Sequence, residues 1–113
     1  MAIFNKLVRD KIPQIVEAKG KKYTIERLND DDYIKFLKRK SYEELDEYCS
    51  AHSSEEALEE LADLLEIIQA LANYHGFTMD EVEKVRKEKE DKRGGFQKKI
   101  LLIEVEDGKQ DES

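Results

Sequence analysis

The chain has little of what builds a disulfide-linked, membrane-spanning or aromatic-rich protein. Its 113 residues include one cysteine, one proline and no tryptophan. A single cysteine excludes an intramolecular disulfide framework and fits a reducing compartment. The longest apolar run, residues 100–103, is far too short to cross a membrane, and no signal peptide is visible. We therefore expect a cytoplasmic protein that does not bind membranes.

Charge of both signs is abundant but unevenly distributed along the chain. Charged residues make up 42% and hydrophobic residues 39%, which predicts helices with heavily solvated faces around a small core. The net charge of −7 disfavours general nucleic-acid binding, although residues 84–99 are strongly basic. An acidic centre beside a basic arm suits a metal ion together with a polyanionic small molecule.

Capping residues and helix stops predict four helices. Asp10 is expected to cap the first helix and Gly20 to end it. Asn29 and the acidic residues after it open the second, while Ser53 and Thr78 open the others, each followed three residues later by glutamate. The expected helices cover residues 11–19, 31–50, 54–75 and 78–92.

The remaining segments predict a small β element at the ends of the chain. Apolar and polar residues alternate over 22–28, which favours a short strand, and residues 100–105 predict a strand or a docking tail. The expected fold class is mainly α: an antiparallel helical bundle with a small terminal β element. We expect a single domain over 1–106 and a disordered tail over 107–113.

Two acidic runs on otherwise apolar helix faces are the most informative feature of the sequence. When each helix is stepped at about 100° per residue, Glu44 and Glu60 fall inside the apolar sectors, and Glu47 and Asp63 fall at their edges. A carboxylate in a core-facing sector is unfavourable unless it is paired. Four of them facing one another would repel unless a hard divalent cation lay between them. The predicted metal ligands are Glu44, Glu47, Glu60 and Asp63.

The spacing of these carboxylates carries a resemblance to a known family. Each pair is at positions i and i+3, on one helix face, and twelve residues separate Glu47 from Glu60, enough for two antiparallel helices and a turn. The motif Asn-Lys-Leu-Val-Arg-Asp-Lys-Ile-Pro occupies residues 5–13, and Lys-Arg-Gly-Gly-Phe occupies residues 92–96. Together they resemble the MazG-like all-α nucleoside triphosphate pyrophosphohydrolases, in the branch similar to phosphoribosyl-ATP pyrophosphohydrolase.

The resemblance implies a chemistry and a set of residues for it. It implies hydrolysis of a nucleoside triphosphate, or a related nucleotide such as phosphoribosyl-ATP, between its α and β phosphates, with Mg²⁺ (or Mn²⁺ as a substitute) and release of pyrophosphate. Glu43 and Glu44 are the expected catalytic carboxylates, although Glu43 also fits a solvated helix face. The expected phosphate-binding residues are Arg9, Lys6, Lys87 and Arg93, for which ion pairing with neighbouring acids is the alternative.

Two further expectations concern self-association and an alternative function. The helix over 54–75 is apolar around about half its circumference, so we expect Leu61, Leu65, Ile68 and Leu71 to be buried. We also expect the chain to form a homo-oligomer, a dimer or a tetramer. Glu66 is expected on the solvated side of that helix. The alternative to an enzyme is a non-enzymatic acidic helical oligomer that acts as a partner-binding module, with its carboxylates paired to basic side chains instead of a metal.

Overall fold

The computed structural model describes residues 2–107, and among them it contains four helices and no strand. The helices are α1 Ile12–Ala18, α2 Asp30–Cys49, α3 Ser54–Tyr74 and α4 Met79–Arg93. The prediction of a mainly α fold is therefore confirmed. The chain divides into two compact units, one ending at Gly76 and one beginning at Phe77. Residues 108–113 of the expected tail lie outside the described part of the chain.

The small β element predicted from the sequence is not formed in the described residues. Neither 22–28 nor 100–105 belongs to a strand there. Alternation of apolar and polar residues indicates which face a strand would present, but a strand also needs a partner whose backbone groups complete a ladder. The pattern in residues 22–28 is local, whereas such a partner is supplied only by the tertiary structure.

Three of the four helices begin at the caps that the sequence indicates. The side chain of Asn29 accepts a hydrogen bond from the backbone N–H of Asp32 at 2.8 Å, and that of Ser53 accepts one from Glu56 at 3.2 Å. Thr78 forms a full capping box with the glutamate three residues later. Asp10 is the exception. The backbone N–H of Ile12 bonds to the carbonyl of Arg9 at 3.0 Å, so Asp10 lies in a turn ahead of α1, and Lys11 occupies the N-cap without a side-chain bond.

Helices α2 and α3 pack against each other as an antiparallel hairpin joined by residues 50–53. The ring of Tyr33, near the start of α2, lies 6.3 Å from that of Tyr74 at the end of α3. Further along, Glu44 of α2 meets Glu60 of α3. Opposite ends of the two helices therefore adjoin, as the predicted turn requires. The buried apolar side chains of the described residues are those of Leu37, Ile67 and Ala72.

The apolar face of α3 is wider than α2 can cover. Leu61, Leu65 and Ile68 were expected to be buried, but they are 49%, 55% and 42% exposed, so this expectation is wrong for the single chain. The stripe that faces α2 contains Glu60 and Ile67 instead. Positions 61, 65 and 68 lie about 100° further round the helix, on a side that no described element of this unit buries.

Helix α4 belongs to the second unit and is charged almost throughout. Arg86 bonds to Glu83 at 2.6 Å and to Glu90 at 2.8 Å, one turn away on either side. Gly94 ends the helix with φ of 81°, a conformation that favours glycine. None of the helices in the described part of the chain is long and apolar enough to cross a membrane.

Candidate metal centre

Helices α2 and α3 bring the predicted carboxylates into one cluster. Oxygen atoms of Glu44, Glu60 and Asp63 lie within 4.8 Å of one another, and so do those of Glu43, Glu44 and Glu47. Glu44 belongs to both groups, so it joins the α2 pair to the α3 pair. The spacing i, i+3 places each pair on one helix face, and the antiparallel packing places the two faces opposite each other.

The centre of this cluster is desolvated and incompletely paired. Glu44 is only 7% exposed, although it carries a carboxylate. One oxygen of Glu44 and one of Glu60 are buried without a hydrogen-bond partner among the described residues. A buried carboxylate oxygen with no donor is unfavourable by itself, and native proteins normally satisfy such a group with a donor, a water or an ion.

Burial and mutual repulsion shift the proton affinities of these carboxylates. Burial raises the pKa of Glu44 above its ordinary value, and the negative charges of Glu47 and Asp63 add to this effect. Burial likewise raises the pKa of Glu60 to about 7, with further increases from Glu47 and Glu44. The charge of Glu47 thus acts on the carboxylates of both Glu44 and Glu60, and all four predicted ligands interact electrostatically. In a metal-free protein, the cluster therefore resists full ionisation at neutral pH.

The N-terminal segment lies across the cluster and partly neutralises it. Lys6 Nζ is 3.1 Å from Glu43 Oε1 on α2, and Arg9 Nη2 is 2.6 Å from Asp63 Oδ1 on α3. The hydrogen bond from Lys6 lowers the pKa of Glu43 below its usual range. Two of the four predicted phosphate-binding residues therefore lie beside the predicted metal ligands, where they pair with carboxylates.

Lys40 is a residue of this site that sequence reasoning did not identify. Its Nζ atom lies 3.6 Å from Glu43 and 3.7 Å from Glu44. The signal was present in the sequence, because Lys40 precedes these residues by one helical turn. Five carboxylates then face three cations in the cluster, which leaves two negative charges when all of them are ionised. The cluster consists of Lys6, Arg9, Lys40, Glu43, Glu44, Glu47, Glu60 and Asp63.

The other two predicted phosphate-binding residues lie in the second unit. Lys87 pairs within α4, at 3.2 Å from Glu90 and 3.3 Å from Asp91. Arg93 is the last residue of α4. The ion pairs of Lys87 match the alternative considered from the sequence, and a role of either residue at the phosphates stays a prediction.

A cavity of about 710 Å³ adjoins the cluster on the α3 side. Glu66, one turn after Asp63, lines it and lies 3.9 Å from Arg9. Glu66 is exposed, as expected, and it also contacts Arg9 and lines the cavity, which helical periodicity alone does not predict. The cavity is lined by Asp10, Asp30, Tyr33, Glu66, Gln69, Ala70, Asn73 and Tyr74.

The donor set fits a hard divalent cation. It consists of carboxylate oxygens on two packed helices, and oxygen ligands are those that Mg²⁺ and Mn²⁺ prefer. The two unpartnered oxygens belong to Glu44 and Glu60, residues of the same group within 4.8 Å, and no described side chain donates a hydrogen bond to them. This arrangement defines a class of protein: an all-α hairpin with a cluster of carboxylates between its helices that could hold a metal ion.

Comparison with known proteins identifies the family within that class. The profile of the phosphoribosyl-ATP pyrophosphohydrolase family matches residues 3–90, and the chain belongs to this family. A protein of Mycolicibacterium smegmatis, described as uncharacterised, is 42% identical over 53 residues, which cover 47% of this chain and 54% of that protein. The chain thus aligns with about half the length of this relative. No solved structure matches the chain.

Proposed function

We propose that this chain is a Mg²⁺-dependent nucleotide pyrophosphohydrolase. It hydrolyses a nucleoside triphosphate, or a related nucleotide such as phosphoribosyl-ATP, between the α and β phosphates, so that a water oxygen bonds to phosphorus and pyrophosphate leaves. The observation that carries the proposal is the pair of unpartnered carboxylate oxygens on Glu44 and Glu60, at the centre of the cluster. Membership of the phosphoribosyl-ATP pyrophosphohydrolase family supports the same reaction class.

The carboxylates would hold the cation. Glu44, Glu47, Glu60 and Asp63 are the proposed ligands, contributed two from each helix of the hairpin. A bound Mg²⁺ polarises the phosphoryl group and lowers the pKa of a water in its coordination sphere. Ligation also removes the repulsion among the four carboxylates, since each shares the positive charge.

The remaining residues of the cluster would position the water and the phosphates. Glu43 borders the ligands and can accept a hydrogen bond from the attacking water, with Glu44 as the other proposed catalytic carboxylate. Ion pairs with Lys6 and Lys40 lower the pKa of Glu43, so orienting the water suits it better than removing a proton. Lys6 and Arg9 are proposed to exchange their carboxylate partners for phosphate oxygens when substrate binds, which offsets charge on the departing pyrophosphate.

The second candidate is the non-enzymatic acidic module, which the ion pairs of Lys6, Arg9 and Lys40 favour. These pairs show how the carboxylates can be neutralised by side chains alone. They do not reach the unpartnered oxygens of Glu44 and Glu60, and that is why we prefer the metal centre. Isothermal titration of Mg²⁺ or Mn²⁺ into metal-free protein separates the two, because a module held by ion pairs needs no cation.

The test of the proposed function compares two neighbouring glutamates. Glu60→Gln keeps the size of the side chain but removes its charge from the cluster, whereas Glu59→Gln makes the same change at an exposed position. We expect Glu60→Gln to weaken Mg²⁺ binding and to lower turnover by about a hundredfold or more, on the scale of losing one preorganised charge-stabilising group. Turnover is measured as pyrophosphate released from a panel of nucleoside triphosphates and phosphoribosyl-ATP.

Glu59→Gln should leave both Mg²⁺ affinity and turnover unchanged. If Glu60→Gln retained full activity with unchanged Mg²⁺ dependence, the proposed metal centre would be wrong. Release of orthophosphate in place of pyrophosphate would contradict the proposed position of cleavage.

A further inference from the structure

The cavity next to the cluster has no role in holding the metal, and its size is that of a ligand site. Its volume of about 710 Å³ falls within the range of roughly 300–1,000 Å³ typical of small-molecule pockets. Two aromatic rings, two side-chain amides and three carboxylates line it. None of its lining residues is a proposed metal ligand.

The cavity and the metal centre share a wall. Arg9 bonds to Asp63 at 2.6 Å on the metal side and lies 3.9 Å from Glu66 on the cavity side. Glu66 follows Asp63 by one turn of α3, and the rest of the cavity lining on α3 continues in the same direction to Tyr74. A ligand that reaches from the cavity to the cluster therefore passes Arg9.

The charge of the cavity determines whether it can bind the phosphates or the nucleoside part of a nucleotide. Asp10, Asp30 and Glu66 contribute carboxylates, and no lysine or arginine is among its lining residues. A phosphate in this cavity would meet like charge, whereas hydroxyl and amino groups would find hydrogen-bond acceptors. The phosphates belong at the cluster, with the cation and Arg9, and the cavity suits the uncharged part of the molecule.

The other lining residues suit a nucleobase. Tyr33 and Tyr74 form an aromatic wall, with ring centroids 6.3 Å apart and planes tilted by 52°, and aromatic faces stack on bases of any sequence. Gln69 and Asn73 lie four residues apart on one face of α3, so their amides point toward the same space and offer both donors and acceptors.

We infer that this cavity binds the nucleoside part of the substrate and selects a base that carries an exocyclic amino group. The inference rests on the proposed function for the placement of the phosphates, but the nucleoside contacts come from the cavity alone. Adenine, cytosine and guanine present an amino donor to the carboxylate acceptors. Uracil and thymine have carbonyl oxygens at O4 and O2 and no exocyclic amino group, so these acceptors would face carboxylate acceptors.

The test uses nucleosides without phosphates, so that binding does not depend on the metal centre. Adenosine and uridine are titrated into the metal-free full chain and followed by two-dimensional ¹H–¹⁵N NMR. Adenosine should shift the amide signals of residues 30–33 and 69–74. It should bind at least about tenfold more tightly than uridine, which corresponds to a difference in binding free energy of about 1.4 kcal/mol at 25 °C. Equal or tighter binding of uridine, or shifts confined to other residues, would overturn the inference.

Two variants examine the contacts directly. Asn73→Leu and Gln69→Leu keep similar size but remove the amide, and each should weaken adenosine binding about tenfold because a polar group of the base loses its partner. In the hydrolysis of adenosine triphosphate, the same variants should raise KM by a similar factor with kcat nearly unchanged. Unchanged adenosine affinity in both folded variants would overturn the inference.

The Glu60→Gln variant separates this inference from the proposed function. It should bind adenosine as the unsubstituted chain does, while losing hydrolysis. If adenosine binds in the cavity of a chain that releases no pyrophosphate from any nucleotide, the proposed function fails and the nucleoside site stands. If pyrophosphate is released but adenosine and uridine bind alike, the inference fails and the proposed function stands.

Discussion

Glu44 is the residue at which burial and charge conflict most strongly. It is nearly enclosed between α2 and α3, one of its oxygens has no partner among the described residues, and Lys40 approaches the other at 3.7 Å. Burial raises the pKa of Glu44, and it also raises the pKa of Glu60. Such carboxylates gain most from a ligand that carries positive charge, so cation binding and proton release should be linked.

The first prediction at this scale concerns pH. The pKa of Glu60 is about 7 in the folded chain against an ordinary value of 4.5, so the folded state binds more protons than the unfolded state between these values. The stabilising contribution of the proton on Glu60 is complete below about pH 4.5 and is lost as pH rises through about 7. In metal-free protein, we expect the loss of this contribution to lower the midpoint of thermal unfolding, followed by circular dichroism, as pH rises across that window.

Saturating Mg²⁺ should diminish this loss, because the cation replaces the proton as the neutralising group. Glu60→Gln should remove the part of the pH dependence of the unfolding midpoint that is due to Glu60. It should also raise the stability of the metal-free chain near pH 8. A variant whose unfolding midpoint followed the same pH curve as the unsubstituted chain would contradict the assignment.

The second residue-scale prediction concerns Arg9. Arg9→Gln removes the ion pair with Asp63, so this carboxylate becomes more available and Mg²⁺ affinity should rise. Turnover should nevertheless fall by about a hundredfold or more, because the group proposed to meet the phosphates has lost its charge. Titration calorimetry with Mg²⁺ and pyrophosphate release measure the two effects.

Arg39→Gln provides the matched change on α2, where Arg39 lies 4.9 Å from the ring centroid of Phe36. It should alter neither Mg²⁺ affinity nor turnover. A loss of metal affinity in Arg9→Gln would show that Arg9 organises the ligands instead of competing with the cation.

At the scale of elements, the hairpin of α2 and α3 sets the geometry of the site. Each helix positions two of the proposed ligands one turn apart, and residues 50–53 connect the helices so that the pairs meet. The cap at Ser53 fixes where α3 begins, and therefore where Glu60 and Asp63 lie relative to α2. Local hydrogen bonds at a helix end thus contribute to the placement of the proposed ligands two to three turns away.

Removal of this cap should reduce stability more than activity. Ser53→Ala deletes the hydroxyl that accepts from the backbone N–H of Glu56, which should lower the free energy of unfolding by about 1 kcal/mol. Urea unfolding followed by circular dichroism measures the change. Turnover at a temperature where the variant is fully folded should change little.

Ser54→Ala is the control for this cap, since it deletes a hydroxyl one position further into α3. We expect a change within about 0.5 kcal/mol. If both variants lost the same stability, the hydrogen bond of Ser53 would not be the cause.

At the scale of the whole molecule, the single chain buries very little apolar surface. Leu37, Ile67 and Ala72 are the buried apolar residues of the described chain. Helix α3 has an exposed apolar stripe whose residues are three or four positions apart, so that they lie on one face of the helix. The stripe consists of Leu58, Leu61, Leu65 and Ile68. A continuous apolar stripe of this kind on a water-exposed helix indicates an interface. We propose that a second copy of the chain covers it, giving a homo-oligomer.

Light scattering at micromolar concentration should therefore return a multiple of the 13.2 kDa chain mass. Leu65→Glu places a charge in the centre of the stripe and should shift the particle toward a single chain. Val85→Glu introduces the same charge at an exposed valine of α4 and should not. A particle of 13.2 kDa for the unsubstituted chain would contradict the proposed association.

The sequence by itself determined the four helices, three of their caps and the carboxylates that form the cluster. Helix starts at Asn29, Ser53 and Thr78 depend on bonds within three residues, so they can be read locally. The i, i+3 spacing and the twelve-residue separation likewise place Glu44, Glu47, Glu60 and Asp63 on facing sides of a hairpin. These features follow from backbone geometry, which each short segment carries with it.

Only the tertiary structure decided what depends on contacts between distant segments. Lys6 and Arg9 meet the acidic cluster because the N-terminal segment crosses both helices, and no spacing rule gives that path. The cavity requires Asp10, Asp30 and Tyr33 to gather beside the end of α3. Helix α2 covers one side of the wide apolar face of α3, so periodicity alone could not show that Leu61, Leu65 and Ile68 remain exposed in the single chain. Packing selects one side of an apolar sector, and that selection depends on the partner surface.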